Sequence, residues 1–184
     1  MPAQTLTATA PLPALLPAVL LLVLTFAVWF DVREGRIPNW LTAGGAMVAM
    51  VLRGSVGAEA LWAGSLGAAL GMGLGISLFA AGALGAGDGK LLVSVGSILG
   101  FETFLRCLPL VGGFGGLLAI AVTIRRGTFL ATVLRFRELL FFMVSFGRIG
   151  ERRTLAMPGS VTVPYGVAVA AGATMAWLAW GLAS

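Results

Sequence analysis

"VLLLVLTFAVWFDVREGRIPN", residues Val19 to Asn39, holds an apolar run and the turn that ends it. No charged side chain precedes Asp31 in the chain. An apolar helix of about 20 residues reaches roughly 30 Å, one hydrocarbon thickness. The run from Pro11 to Phe30 therefore reads as a membrane-spanning helix. A secretory signal peptide would open with Lys or Arg, and the first basic residue here is Arg33. The span is expected to be retained. What needs explaining is the acid at its end, because a Lys or Arg would anchor the span as well, whereas an acid there wants a partner or water.

The 184 residues are 59% hydrophobic and 10% charged, with a mean hydropathy of +1.01. A soluble domain carries about 25% charged residues. The polar surface cannot cover a globule in water, so the expected class is an all-α polytopic membrane protein, one membrane-embedded domain over residues 1–184. The net charge of +5 does not point to nucleic acid. Arginines that flank apolar runs set topology and meet anionic lipid. There is one cysteine, Cys107, and no histidine. That excludes a Cys/His zinc site and a Ser-His-Asp triad. Hydrolytic chemistry would have to use carboxylates, a Ser/Lys pair or an oxygen-ligated metal.

Further apolar runs cover Trp40 to about Leu52, Ala60 to Leu84 and Val163 to Leu182. Leu91 to Ile124 is too long for one span and carries Glu102 and Arg106 at its middle. A charge at the centre of a membrane helix costs several kcal/mol, so two helices, 89–104 and 107–124, are expected to turn near "FETFLRC". The third run, with "GSLGAALGMGLG", brings small residues close together, which lets neighbouring helices approach. Arg125 to Arg153 reads as a basic amphipathic segment lying in the interface. The expectation is thus a bundle of six transmembrane helices plus that interfacial segment. With the loop after span one on the cytoplasmic side, ten of the twelve Lys and Arg residues fall on that side and only Arg53 and Arg106 on the other. Both termini are then outside the cytoplasm.

Among the seven acids only Asp31 and Asp88 are aspartates. Asp31 ends span one and Asp88, in "GAGDGK", opens span four. Two intervening spans return the chain to the same face, so the two should lie at similar depth. Each alone has a structural reading, an interfacial cap for Asp31 and a helix N-cap for Asp88. Together they can form a site. Like charges a few ångström apart cannot both ionise, so such a pair shares one proton. One member takes a proton from water while the other protonates or polarises a peptide carbonyl. This needs no cofactor and no metal. Gly85 and Gly87 remove side chains beside Asp88, so a substrate backbone can come close. Helix polarity favours the charge on Asp88, near a helix N-terminus, and the proton on Asp31, near a C-terminus.

"GAGDGKLL" resembles the GxGD motif of membrane aspartyl proteases. "DVREGRIPN" resembles the first-aspartate segment of type IV prepilin peptidases, D-x-R-x-x-x-I-P-N, and "VPYGVAVAAG", Val163 to Gly172, resembles their last helix. The chain is similar to the small members serving Flp/Tad-type pili or to their archaeal preflagellin relatives. The resemblance implies an endopeptidase of the cytoplasmic (inner) membrane. It would cut the basic leader from a prepilin at the cytoplasmic face, with Asp31 and Asp88 as the catalytic pair. Arg33, Arg36 and Lys90 are then candidates for tuning the aspartates, and Pro38 and Asn39 for shaping the entry to span two. The chain lacks the inserted cysteine-paired domain of larger members that also methylate the new N-terminus. Position 89 is glycine where the family often carries a bulkier apolar residue. The substrate helix is expected to lie against the Gly-rich spans and to dominate binding, since the cytoplasmic face is itself basic. The competing readings are a GxGD protease acting on other membrane substrates, such as preflagellin or signal-peptide-like segments, and a proton-coupled transporter subunit.

Overall fold

The computed structural model describes residues 15–125 and 165–181. Within them the chain forms six helices and no strand: α1 (Leu15–Glu34), α2 (Asn39–Val56), α3 (Ala58–Ala80), α4 (Ala86–Leu99), α5 (Phe101–Arg125) and α6 (Tyr165–Ala176), the last continuing into a π-helical turn, Trp177–Gly181. The expected interfacial segment lies outside the described residues beyond Arg125. Helices α1, α3 and α5 are long and apolar enough to cross a membrane. Their outward faces carry Leu22, Trp62, Ile76, Leu117 and Ile124, all exposed, which suits lipid rather than water.

The first turn follows from its residues. Gly35 takes φ +62 and its N–H bonds to the Asp31 carbonyl at 3.0 Å, ending α1 in the left-handed conformation a glycine tolerates. Pro38, extended at φ −64 and ψ 138, then starts α2. Ile37 is tucked in at 7% exposure, and Phe30 meets Trp40 edge-on at 6.1 Å across the turn. "DVREGRIPNW" is therefore a helix end, an anchor and a helix start in ten residues.

Helix α4 is the centre. It touches all five other helices, and no other helix does. Its seam with α3 is glycine on backbone: Gly67 lies on Gly96, Gly71 on Leu92 and Gly75 on Gly89. A Cβ on Gly75 would come within 2.9 Å of the Gly89 Cα, and one on Gly71 within 2.5 Å of the Leu92 carbonyl oxygen. The expected close approach is present, and glycine at position 89 has a packing reason, because Gly75 leaves no room for a bulkier residue.

The turn into α5 falls at Gly100, not within "FETFLRC". Gly100 has φ +77. The Arg53 guanidinium caps the end of α4, donating to the Ser97 carbonyl at 2.9 Å, the Ile98 carbonyl at 2.9 Å and the Ala60 carbonyl at 3.2 Å. With the turn that early, Glu102 lies in the first turn of α5, where a helix favours an acid, rather than between two helices.

Candidate functional site

Asp31 sits in the last turn of α1, and Asp88 in the first turn of α4. Both side chains are half-buried. They occupy the same end of the bundle, where Gly87, next to Asp88, lies on Ile37, six residues after Asp31. Two acids 57 positions apart in sequence thus come to one end of the fold.

Three contacts hold this end of the bundle together. The start of α4 lies on the turn between α1 and α2: a Cβ on Gly87 would sit 3.4 Å from the backbone nitrogen and the Cβ of Ile37. The Lys90 ammonium donates to Asn39 Oδ1 at 2.7 Å, tying the start of α4 to the start of α2. Asp88, at the third position of α4, accepts the backbone N–H of Gly85 at 3.2 Å, one half of a capping box. The "IPN" and "GDGK" segments are therefore mutual partners.

The third element comes from the far end of the chain. The Gly166 N–H donates to Asp31 Oδ2 at 2.7 Å. Any side chain at 166 would meet that carboxyl, because its Cβ would lie 2.7 Å from Oδ2, 3.1 Å from Cβ and 3.2 Å from Cγ. Tyr165 precedes Gly166, and its ring packs on Gly115 of α5. The sequence marked "VPYG" as a helix start; the structure makes its glycine the donor that holds Asp31. The only signal was a glycine at a helix N-terminus, where free N–H groups point outward.

The family model for type IV leader peptidases matches residues 18–144. The chain belongs to the type IV leader peptidase family. No curated protein and no solved structure matches it. The peptidase match spans both aspartates and ends before Gly166, so the place of Gly166 rests on the structure alone.

The remaining candidates divide. Lys90 and Asn39 pair with each other, and Pro38 sets the start of α2. Arg33 stacks its guanidinium 4.2 Å from the Trp29 ring centroid and is exposed, as is Arg36. Arg33 is thus engaged with an aromatic face at the helix end, the arrangement of an interfacial anchor. Among the described residues no group of three or more His, Cys, Asp or Glu side chains could hold a metal ion.

Proposed function

We propose that this peptidase is a membrane aspartyl endopeptidase that cuts the leader from type IV or Flp-type prepilins at the cytoplasmic face, with Asp31 and Asp88 as its catalytic pair. The observation that carries the reading is the convergence of these two carboxyls at one end of the bundle.

The chemistry follows from the pair. A water between the carboxyls loses a proton to the ionised one as its oxygen attacks the scissile carbonyl carbon. The other carboxyl gives its proton to the carbonyl oxygen. The tetrahedral intermediate then collapses, its C–N bond breaks and the amine leaves with a proton from the pair. The hydrogen bonds favour one of the two acids as the charged one. Asp31 accepts a short N–H bond at 2.7 Å, Asp88 a longer one at 3.2 Å. A hydrogen bond to a charged group contributes about 1.5–3 kcal/mol, whereas a helix terminus contributes about 1 kcal/mol or less when exposed. The shorter bond to Asp31 supports a reading in which Asp31 carries the negative charge and Asp88 the shared proton, the reverse of what helix polarity alone favours.

Topology supports the same face. The chain alternates direction, so Arg33, Arg36, Lys90 and Arg125 collect at the aspartate end while Arg53 and Arg106 lie at the other. An excess of basic residues marks the cytoplasmic side, so on this reading the start of α1 and the end of α6 both lie on the other side of the membrane. The substrate's leader would remain in the cytoplasm, and lipid would surround the rest of the protein. No cofactor enters the scheme.

The test is cleavage of a purified Flp-type prepilin by the protein in nanodiscs. Asp31→Asn and Asp88→Asn should each lower the rate by about 10²–10⁴-fold, the usual worth of a general acid or base, while both remain folded by circular dichroism. A protease of wider choice would cut a precursor whose leader is deleted. A transporter would cut nothing and show ion flux lost in both variants.

A further inference from the structure

The catalytic pair alone does not say from which side a substrate helix arrives. The glycine face of α3, the expected docking surface, is closed: Gly64, Gly67, Gly71 and Gly75 are all buried, and α4 lies on the last three of them. Among the described residues, two apolar grooves flank α6. The larger, about 640 Å³, lies between α1 and α6, with Leu21, Thr25 and Val28 on one wall and Val167, Ala170 and Met175 on the other. The smaller, about 290 Å³, lies between α5 and α6.

We infer that the groove between α1 and α6 holds the apolar helix of the substrate, with the scissile bond at its cytoplasmic end beside Asp31. This rests on the peptidase reading above and adds the route by which the substrate reaches the pair.

Three observations carry it. The groove runs into the site: Val28 lies about one turn before Asp31, and Val167 follows Gly166, whose N–H holds the Asp31 carboxyl. Both of its walls therefore belong to helices that build the site, whereas the smaller groove is bounded by α5, which carries neither aspartate. The lining holds no charged side chain, so it fits an uncharged apolar segment and leaves a basic leader outside. The α6 wall from Val167 to Leu178 is about 16 Å long at 1.5 Å per residue, about three helical turns, and contributes Ala170 and Ala171. Small residues on one wall let a second helix come close.

The test uses a synthetic precursor with a basic leader followed by 20 apolar residues, in nanodiscs, and the full chain carrying Asp88→Asn so that the precursor stays uncut. Benzoylphenylalanine replaces one exposed large apolar residue at a time: Leu21 or Met175 in the groove, Leu117 on the α5 side, Ile76 on the outer face of α3. Light should give precursor adducts from 21 and 175 and none above background from 117 or 76. In the active chain, Ala170→Phe should raise the KM for the precursor about tenfold through overpacking of the groove, with Ile76→Phe unchanged. Adducts only from 117 or 76 overturn the assignment, as do adducts at 21 and 175 made solely to lipid or to a second copy of the chain. If the unmodified enzyme cuts no such precursor, the peptidase reading itself falls. If it cuts the precursor but crosslinks it elsewhere, only the groove falls.

Discussion

Gly166→Ala is the most informative single change in this molecule. The added methyl would stand 2.7 Å from Asp31 Oδ2 and 3.1 Å from its Cβ. Real side-chain carbons do not approach an oxygen that closely, so one partner must move. The helix start is main chain and packed, with Gly166 itself buried. The carboxyl is the end of a short side chain and half-buried, so it is the part that swings. The fold therefore survives with a loss of about 1 kcal/mol, the centre of the range for point substitutions. The Asp31 carboxylate, however, leaves its N–H donor at 2.7 Å. A hydrogen bond to a charged group is worth about 1.5–3 kcal/mol, and each 1.36 kcal/mol is tenfold in rate. If that bond fixes the carboxylate where the water must be activated, kcat falls about 10- to 100-fold. The assay is single-turnover cleavage of a prepilin in nanodiscs, beside thermal unfolding of the same preparations. A variant that unfolds like the parent and cuts within twofold of its rate refutes the claim that Gly166 positions Asp31.

Four further outcomes follow from other contacts. Lys90→Met and Asn39→Ala should each slow cleavage by roughly fivefold to tenfold, as expected for losing an exposed, solvent-screened hydrogen bond of about 1 kcal/mol; the double variant should be no worse than the poorer single, since each removes the same 2.7 Å bond. Gly71→Leu should drive a side chain into the Leu92 carbonyl, lowering stability by about 3 kcal/mol or preventing insertion, read as loss of the folded peak in detergent chromatography. Arg53→Met should leave the Ser97 and Ile98 carbonyls without their donor, costing about 2–3 kcal/mol for the lost charged hydrogen bonds, read by thermal unfolding, while kcat of the remaining folded protein stays at the parental value. In carboxyl infrared spectra, the protonated band should vanish in Asp88→Asn and persist in Asp31→Asn; the opposite pattern would return the proton to Asp31.

Much of this fold is legible because a membrane permits few solutions. Apolar runs of about 20 residues must be helices, since no other backbone satisfies its own polar groups in lipid. Spans one and three fall close to where composition puts them. The boundary that could not be read is the turn between α4 and α5. Glu102 and Arg106 draw the eye as interfacial charges, whereas the break is set by Gly100 in a left-handed conformation and by a guanidinium arriving from α2. A long-range cap of this kind has no local signature; Arg53 reads in sequence as a topology marker and nothing else.

The site divides in the same way. Asp31 and Asp88 could be paired from sequence because they are the only aspartates and because counting spans returns them to one face. The partnership of Lys90 with Asn39 was not readable, since each has an ordinary interfacial role by itself. Gly166 was furthest from reach, because the functional group is a backbone N–H that every residue but proline possesses. What sequence offers there is only the absence of a side chain. The reason for that absence, a carboxyl 2.7 Å away on a helix 135 positions earlier, is tertiary.

The length of α4 explains why the acids can come together inside a membrane bundle at all. Its 14 residues reach about 21 Å, some 9 Å short of a hydrocarbon core of roughly 30 Å. Its neighbours α3 and α5 have 23 and 25 residues and span that thickness with length to spare. A short helix held inside longer ones has ends below the lipid surface, where unpaired backbone groups are most costly. Each end here has a polar answer. At one, Arg53 takes the Ser97 and Ile98 carbonyls. At the other, Asp88 takes the Gly85 N–H, and Lys90 reaches Asn39. Asp31 at the end of α1 and Gly166 at the start of α6 meet at the same end of the bundle as the first turn of α4. The shortness of the central helix is therefore the structural condition for the paired acids, and the glycine seam that lets α3 lie against its whole length is what keeps so short a helix in the middle of the bundle.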